Sequence, residues 1–103
     1  MSVEEFELIC MQMITNTGSA KSSYIEAIQK AKEKDFEGAE RLMEEGDQFF
    51  SECHSVHGVL LAKEASGEKV AFALILMHAE DQMASTEMAK ILAREIIELY
   101  QKK

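Results

Sequence analysis

The sequence predicts an all-α fold: an antiparallel, up-down-up bundle of three helices over about 3–34, 36–65 and 70–100. Apolar residues recur at spacings of three and four through three long stretches. Short polar segments near 34–36 and 66–68 separate those stretches. The chain has no proline and few glycines, and it is rich in Ala, Leu, Glu, Lys and Met, all good helix formers. With 103 residues it is one domain, 1–103, large enough to bury a modest core without staples.

The first helix carries Val3, Phe6, Cys10, Met13, Thr17, Ala20, Tyr24, Ala27 and Ala31 on one stripe. Its weak point is Asn16-Thr17-Gly18-Ser19, where a mid-helix glycine costs about 1 kcal/mol relative to alanine. One helix is expected, kinked or tolerated where another helix comes close; a break into two helices is the rival. Asp35 is placed to cap the second helix, with Glu37 in its first turn. That helix lines up Phe36, Ala39, Met43, Gly46, Phe50, Cys53, His57 and Leu60, flanked by Leu42, Phe49, Val56 and Leu61. Gly67 suits a left-handed C-terminal cap.

The third helix has two faces to bury. One stripe is Phe72, Ile75, Ala79, Met83, Thr86, Ala93 and Ile97, which suits packing against the chain's own helices. The other is Leu74, His78, Asp81, Ser85, Met88, Leu92, Glu95 and Leu99, a heptad seam with three polar residues in a row. A polar break in such a seam sets register or oligomer state, and three copies of Asp81 on one axis would call for protons or a hard cation.

Several function classes are excluded or disfavoured. A net charge of −8 argues against nucleic acid as a partner. No apolar run approaches a membrane span, and the acidic start lacks a signal peptide's basic residues, so a cytoplasmic location is expected. The two cysteines, Cys10 and Cys53, fall at apolar positions and read as buried thiols. His54, His57 and Cys53 fall short of the four ligands of structural zinc. There is no phosphate-cradling glycine loop, Ser-His-Asp set or H-E-x-x-H, so a nucleotide-dependent kinase is not expected. His78 has two readings. It is either an interface histidine bonded to Asp81, or an imidazole nucleophile able to take up a phosphoryl group and release it.

These residues carry a resemblance over nearly the whole chain. His78-Ala79-Glu80-Asp81-Gln82 resembles the His-Ala-Gln-Asp-His signature of the lactose/cellobiose-type enzyme IIA of the bacterial sugar phosphotransferase system. Glu64 to Glu68, the pattern Asn16, Gly18, Ala20, Ser22 and Glu26-Ala27, and Asp35-Phe36-Glu37 with Ala39-Glu40 are similar to that family in order and spacing. The resemblance implies a homotrimer of three-helix protomers, with His78 phosphorylated by HPr. The phosphoryl group would pass to a cysteine of a cognate IIB, with IIC in the membrane, during uptake of a disaccharide of the lactose, cellobiose or chitobiose type. It also implies that Asp81, one per protomer, holds an axial cation, with Mg²⁺ expected at one per trimer. The chain departs from the family at Gln82, where a second histidine is usual; Gln82 can still donate a hydrogen bond but cannot titrate. Glu80 replaces a common Gln, Ala84 a usual Met, and His57-Gly58 a usual Gln-Thr. The alternative function is a non-catalytic helical oligomerisation or regulatory domain related to this family.

Overall fold

A computed structural model describes residues 1–102. Three helices follow one another: α1, Val3–Lys32; α2, Phe36–Ala65; and α3, Leu74–Gln101. They form a rod of 52 × 20 × 18 Å. The central element is α1. It packs along both α2 and α3, which scarcely touch each other.

The predicted stripes form the core. On α1 every stripe residue except Val3 is buried; on α2, Ala39, Met43, Gly46, Phe50, Cys53 and Leu60 are buried. From α3 come Ala79, Met83, Thr86, Ala93 and Ile97. Gly46 lets α1 approach closely, since a β-carbon there would stand 2.5 Å from Tyr24 Cε1. Helix α1 passes through Gly18 unbroken, and a β-carbon at Gly18 would meet nothing within 4 Å. So no neighbouring helix in the protomer explains that glycine. The adjacent polar side chains bond back to their own helix, Asn16 Nδ2 to Gln12 O and Thr17 Oγ1 to Ile14 O, both at 3.0 Å.

Helices α1 and α2 are capped at both ends, whereas Ala73 gives α3 no side-chain cap. Ser2 Oγ accepts from Glu5 N at 3.0 Å, and Asp35 Oδ1 accepts from Gly38 N at 2.9 Å. Helix α1 ends at Lys32, two residues before the expected boundary. Lys34 adopts φ 64°, Lys34 N donates to Ala31 O, and Asp35 N donates to Lys30 O. This is a Schellman cap with lysine in the position glycine prefers. Gly67, at φ 95°, closes α2 in the same way, with Glu68 N donating to Lys63 O and Gly67 N to Glu64 O.

The start of α3 corrects the expected boundary. Residues 68–73 are not helical, and α3 begins at Leu74 rather than near Val70. The reason is spatial. Helices α2 and α3 flank α1, so their link must cross the N-terminal end of α1, and a two-residue turn is too short. Six extended residues reach about 20 Å. Phe72 therefore leaves the stripe assigned to it and is 90% exposed.

Polar pairs bridge the gap between α2 and α3: His57 with Glu80, Asp47 with Lys90, and Glu40 with Arg94. Arg94 grips Glu40 with two hydrogen bonds, 2.7 and 3.1 Å, which hold its guanidinium even more firmly protonated. Tyr24 OH donates to Asp47 Oδ1 at 2.7 Å, so Asp47 joins all three helices.

Candidate functional site

Helix α3 displays the predicted seam along its whole length. Leu74, His78, Asp81, Ser85, Met88, Leu92, Glu95 and Leu99 are all exposed. Ala79 and Met83 face α1, and this rotation of the helix turns His78 and Asp81 outward. Neither the His78 side chain nor that of Asp81 has a hydrogen-bond or ion-pair partner among the described residues. The reading of His78 as bonded to Asp81 is thus not what the protomer shows.

Gln82, one turn beyond His78, is half-buried. Its Oε1 accepts from Lys21 Nζ of α1 at 2.9 Å. Its backbone oxygen accepts from Thr86 Oγ1 at 2.7 Å, and Thr86 Oγ1 also lies 3.5 Å from Thr17 O of α1. Lys21 is a residue that sequence reasoning missed. The two partners lie 61 positions apart, and no local spacing announces a contact of that kind. Glu80 emerges on the α2 side, where its Oε2 lies 2.8 Å from His57 Nε2. His54, one turn before His57, is exposed and rests against Phe50 with ring centroids 4.6 Å apart. Both thiols are fully buried. Burial pushes Cys10 and Cys53 above the ordinary thiol range, and Glu80 and Glu7 add to the effect at Cys10. Such thiols are inert.

Met77 is 48% exposed beside His78, and Ile75 is half-buried. Met83, on the inner stripe of the same helix, belongs to the core. Surface hollows of about 330, 490 and 440 Å³ are lined without His78 or Asp81. The His78 side chain thus stands in the open, outside these three hollows. Among the described residues of one protomer, no group of three or more His, Cys, Asp or Glu converges to hold a metal. Asp81 offers carboxylate oxygens, the donor type a hard cation takes, but one residue by itself is too few for a site.

The fold and the exposed seam of α3 define the class as a three-helix bundle with one long unpartnered face. The family model described as the lactose/cellobiose-specific IIA subunit of that system matches residues 8–101, and the chain belongs to this family. The lactose-specific EIIA component of Staphylococcus epidermidis is 34% identical over 102 residues, 99% of this chain and 98% of that protein. The crystal structure of the cellobiose-specific enzyme IIA from Bacillus anthracis superposes with a TM-score of 0.92 at 35% identity, covering 99% of this chain and 92% of that one. A solution structure of the IIA(chitobiose)–HPr complex of the Escherichia coli phosphotransferase system matches with a TM-score of 0.76 at 30% identity, over 94% of each chain.

Proposed function

We propose that the chain carries phosphate on His78, receiving it from HPr and delivering it to a cysteine of a cognate IIB during disaccharide uptake. The observation that carries this reading is the position of His78. It stands exposed and unpaired on α3, in a chain whose matched relatives include an IIA captured with HPr. In the first step the lone pair of the unprotonated His78 ring nitrogen forms the N–P bond. The bond between phosphorus and the donor atom of HPr breaks, and its electron pair leaves on the donor. In the second step the IIB thiolate attacks phosphorus and the electron pair returns to the His78 ring. Neither step needs a nucleotide. Met77, soft and adaptable, suits a face covered by two partners in turn. Since no helix among the described residues is long and apolar enough to cross a membrane, IIC is the component left to carry the sugar across. The transfer belongs in the cytoplasm.

The working form in this reading is a homotrimer with α3 of each protomer at the axis. Its support is the seam: Leu74 is 80% exposed, Leu99 65%, Met88 55% and Leu92 52%, an apolar stripe too long to leave in water. Three Asp81 carboxylates would then meet and repel. One Mg²⁺ per trimer, held by their oxygens and completed by water, would offset that repulsion. The ion has a structural role, and no transfer step passes through it.

The test is incubation with phosphoenolpyruvate, enzyme I and HPr. One acid-labile, alkali-stable phosphoryl group is expected on the wild-type chain. It should vanish in His78→Ala and persist in His54→Ala and His57→Ala. Undiminished labelling of His78→Ala would overturn the assignment and leave an oligomerisation or regulatory role.

A further inference from the structure

Lys63, Lys90 and Arg94 each meet a carboxylate: Glu68, Asp47 and Glu40. Lys21 is different. Its ammonium is half-buried and donates to the neutral amide oxygen of Gln82 at 2.9 Å. An ammonium has only donors, so the atom facing it must be the oxygen. The orientation of the Gln82 amide, ordinarily ambiguous, is therefore fixed by chemistry. With Oε1 held by α1, the Nε2 group is left with two N–H donors directed away from Lys21. His78 lies four residues earlier on the same helix, the separation at which side chains of one face are neighbours.

The geometry points to Lys21 as a positioning residue for phosphoryl transfer, acting through Gln82. Lys21 holds the amide so that Nε2–H is the end offered to the phosphoryl oxygens on His78. The cation also polarises the amide, making each N–H a stronger donor. Thr86 steadies the same turn by donating to the Gln82 carbonyl. The local charge explains the need. An incoming phosphoryl group carries close to two negative charges, and the motif already contains Glu80 and Asp81. A directed amide supplies donors there without adding a titratable group. This inference rests on His78 as the phosphoryl acceptor.

The test uses the full chain with phosphoenolpyruvate, enzyme I and HPr, after the His78→Ala control has fixed the site of labelling. Lys21→Met should slow phosphoryl uptake at saturating phospho-HPr by about tenfold, less than the loss of a whole oxyanion donor. Lys21→Arg should restore the rate to within about twofold, because a guanidinium also donates to the oxygen. In a Gln82→Ala background, Lys21→Met should have no further effect. A nuclear magnetic resonance readout separates positioning from mere structural support. In the wild-type protein the Gln82 side-chain N–H signals should shift on phosphorylation, and in Lys21→Met they should not. If Lys21→Met transfers at the wild-type rate while His78 is still labelled, the inference is wrong and the carrier assignment stands. Wild-type Gln82 signals that do not move on phosphorylation would overturn it as well, even if Lys21→Met fails to fold.

Discussion

His57 Nε2 and Glu80 Oε2 lie 2.8 Å apart, joining α2 to α3 at the level of His78. Both positions depart from the family pattern that the chain resembles, and the structure brings the two departures together. The imidazole side chain is largely covered, at 16%, whereas the carboxylate is 49% exposed, so solvent screens the pair. Its contribution belongs with exposed ion pairs, under about 1 kcal/mol. We expect His57→Gln and Glu80→Gln each to lower stability slightly. A double-mutant cycle in urea should give a coupling of about 0.5 kcal/mol. Additive effects would mean that the contact contributes nothing.

Lys34 sits at φ 64°, where a β-carbon is crowded and glycine is not. The αL residue of a Schellman cap should therefore favour glycine on steric grounds. The unfolded chain gains some freedom with glycine, which offsets part of the benefit. Lys34→Gly is expected to stabilise the protein by about 0.5–1 kcal/mol, read as a raised urea midpoint at constant slope. A lowered midpoint would show that the lysine side chain contributes more than its backbone strain costs.

How legible the molecule was depends on the range of the interactions concerned. Ser66-Gly67 and Asp35 are local signals, and the caps they predict are present. The stripes through Met13, Met43 and Ala79 are periodic signals, and those residues are fully buried. The α2–α3 link is hidden in the sequence because helical propensity continues through Val70 to Ala73. What breaks the helix there is the need to cross α1, a property of the assembled bundle. His78, Asp81 and Gln82 were visible as a motif on one helix. Lys21 was not, because its bond to Gln82 exists only once α1 and α3 pack.

Tyr24 is fully buried, and its hydroxyl donates to Asp47. Burial first, then that hydrogen bond and the nearby Asp47 and Glu87 charges, raise its pKa well above the ordinary 10.0. The sign follows from linkage. The unfolded chain loses this proton at lower pH than the folded one, so stability falls as pH rises above about 10. Cys10 and Cys53, also raised, begin the same decline from about pH 9. Tyr24→Phe should cost about 1 kcal/mol at pH 7 through the lost hydrogen bond, and its alkaline decline should be shallower. Urea titrations at pH 7, 9 and 10.5 test this. Parallel decline in the two proteins would remove Tyr24 from the account.

Asp81 offers a test of assembly that does not depend on phosphate. In the proposed trimer its three copies share the axis, each stripped of water and close to two like charges. Both effects disfavour the charged form, and a cation is the direct remedy. Asp81→Leu removes the repulsion and the ligands together and extends the apolar seam of Leu74, Met88 and Leu92 through the break. Wild-type protein should scatter light as a trimer with magnesium and dissociate in part with chelator at micromolar concentration. Asp81→Leu should remain trimeric in both, with a melting temperature insensitive to magnesium. Asp81→Asn, which removes the charge but adds no apolar surface, should also lose the magnesium response while binding less tightly than the leucine variant. A monomer under every condition would rule out the α3 axis. A wild-type trimer indifferent to chelator would keep the axis and discard the ion.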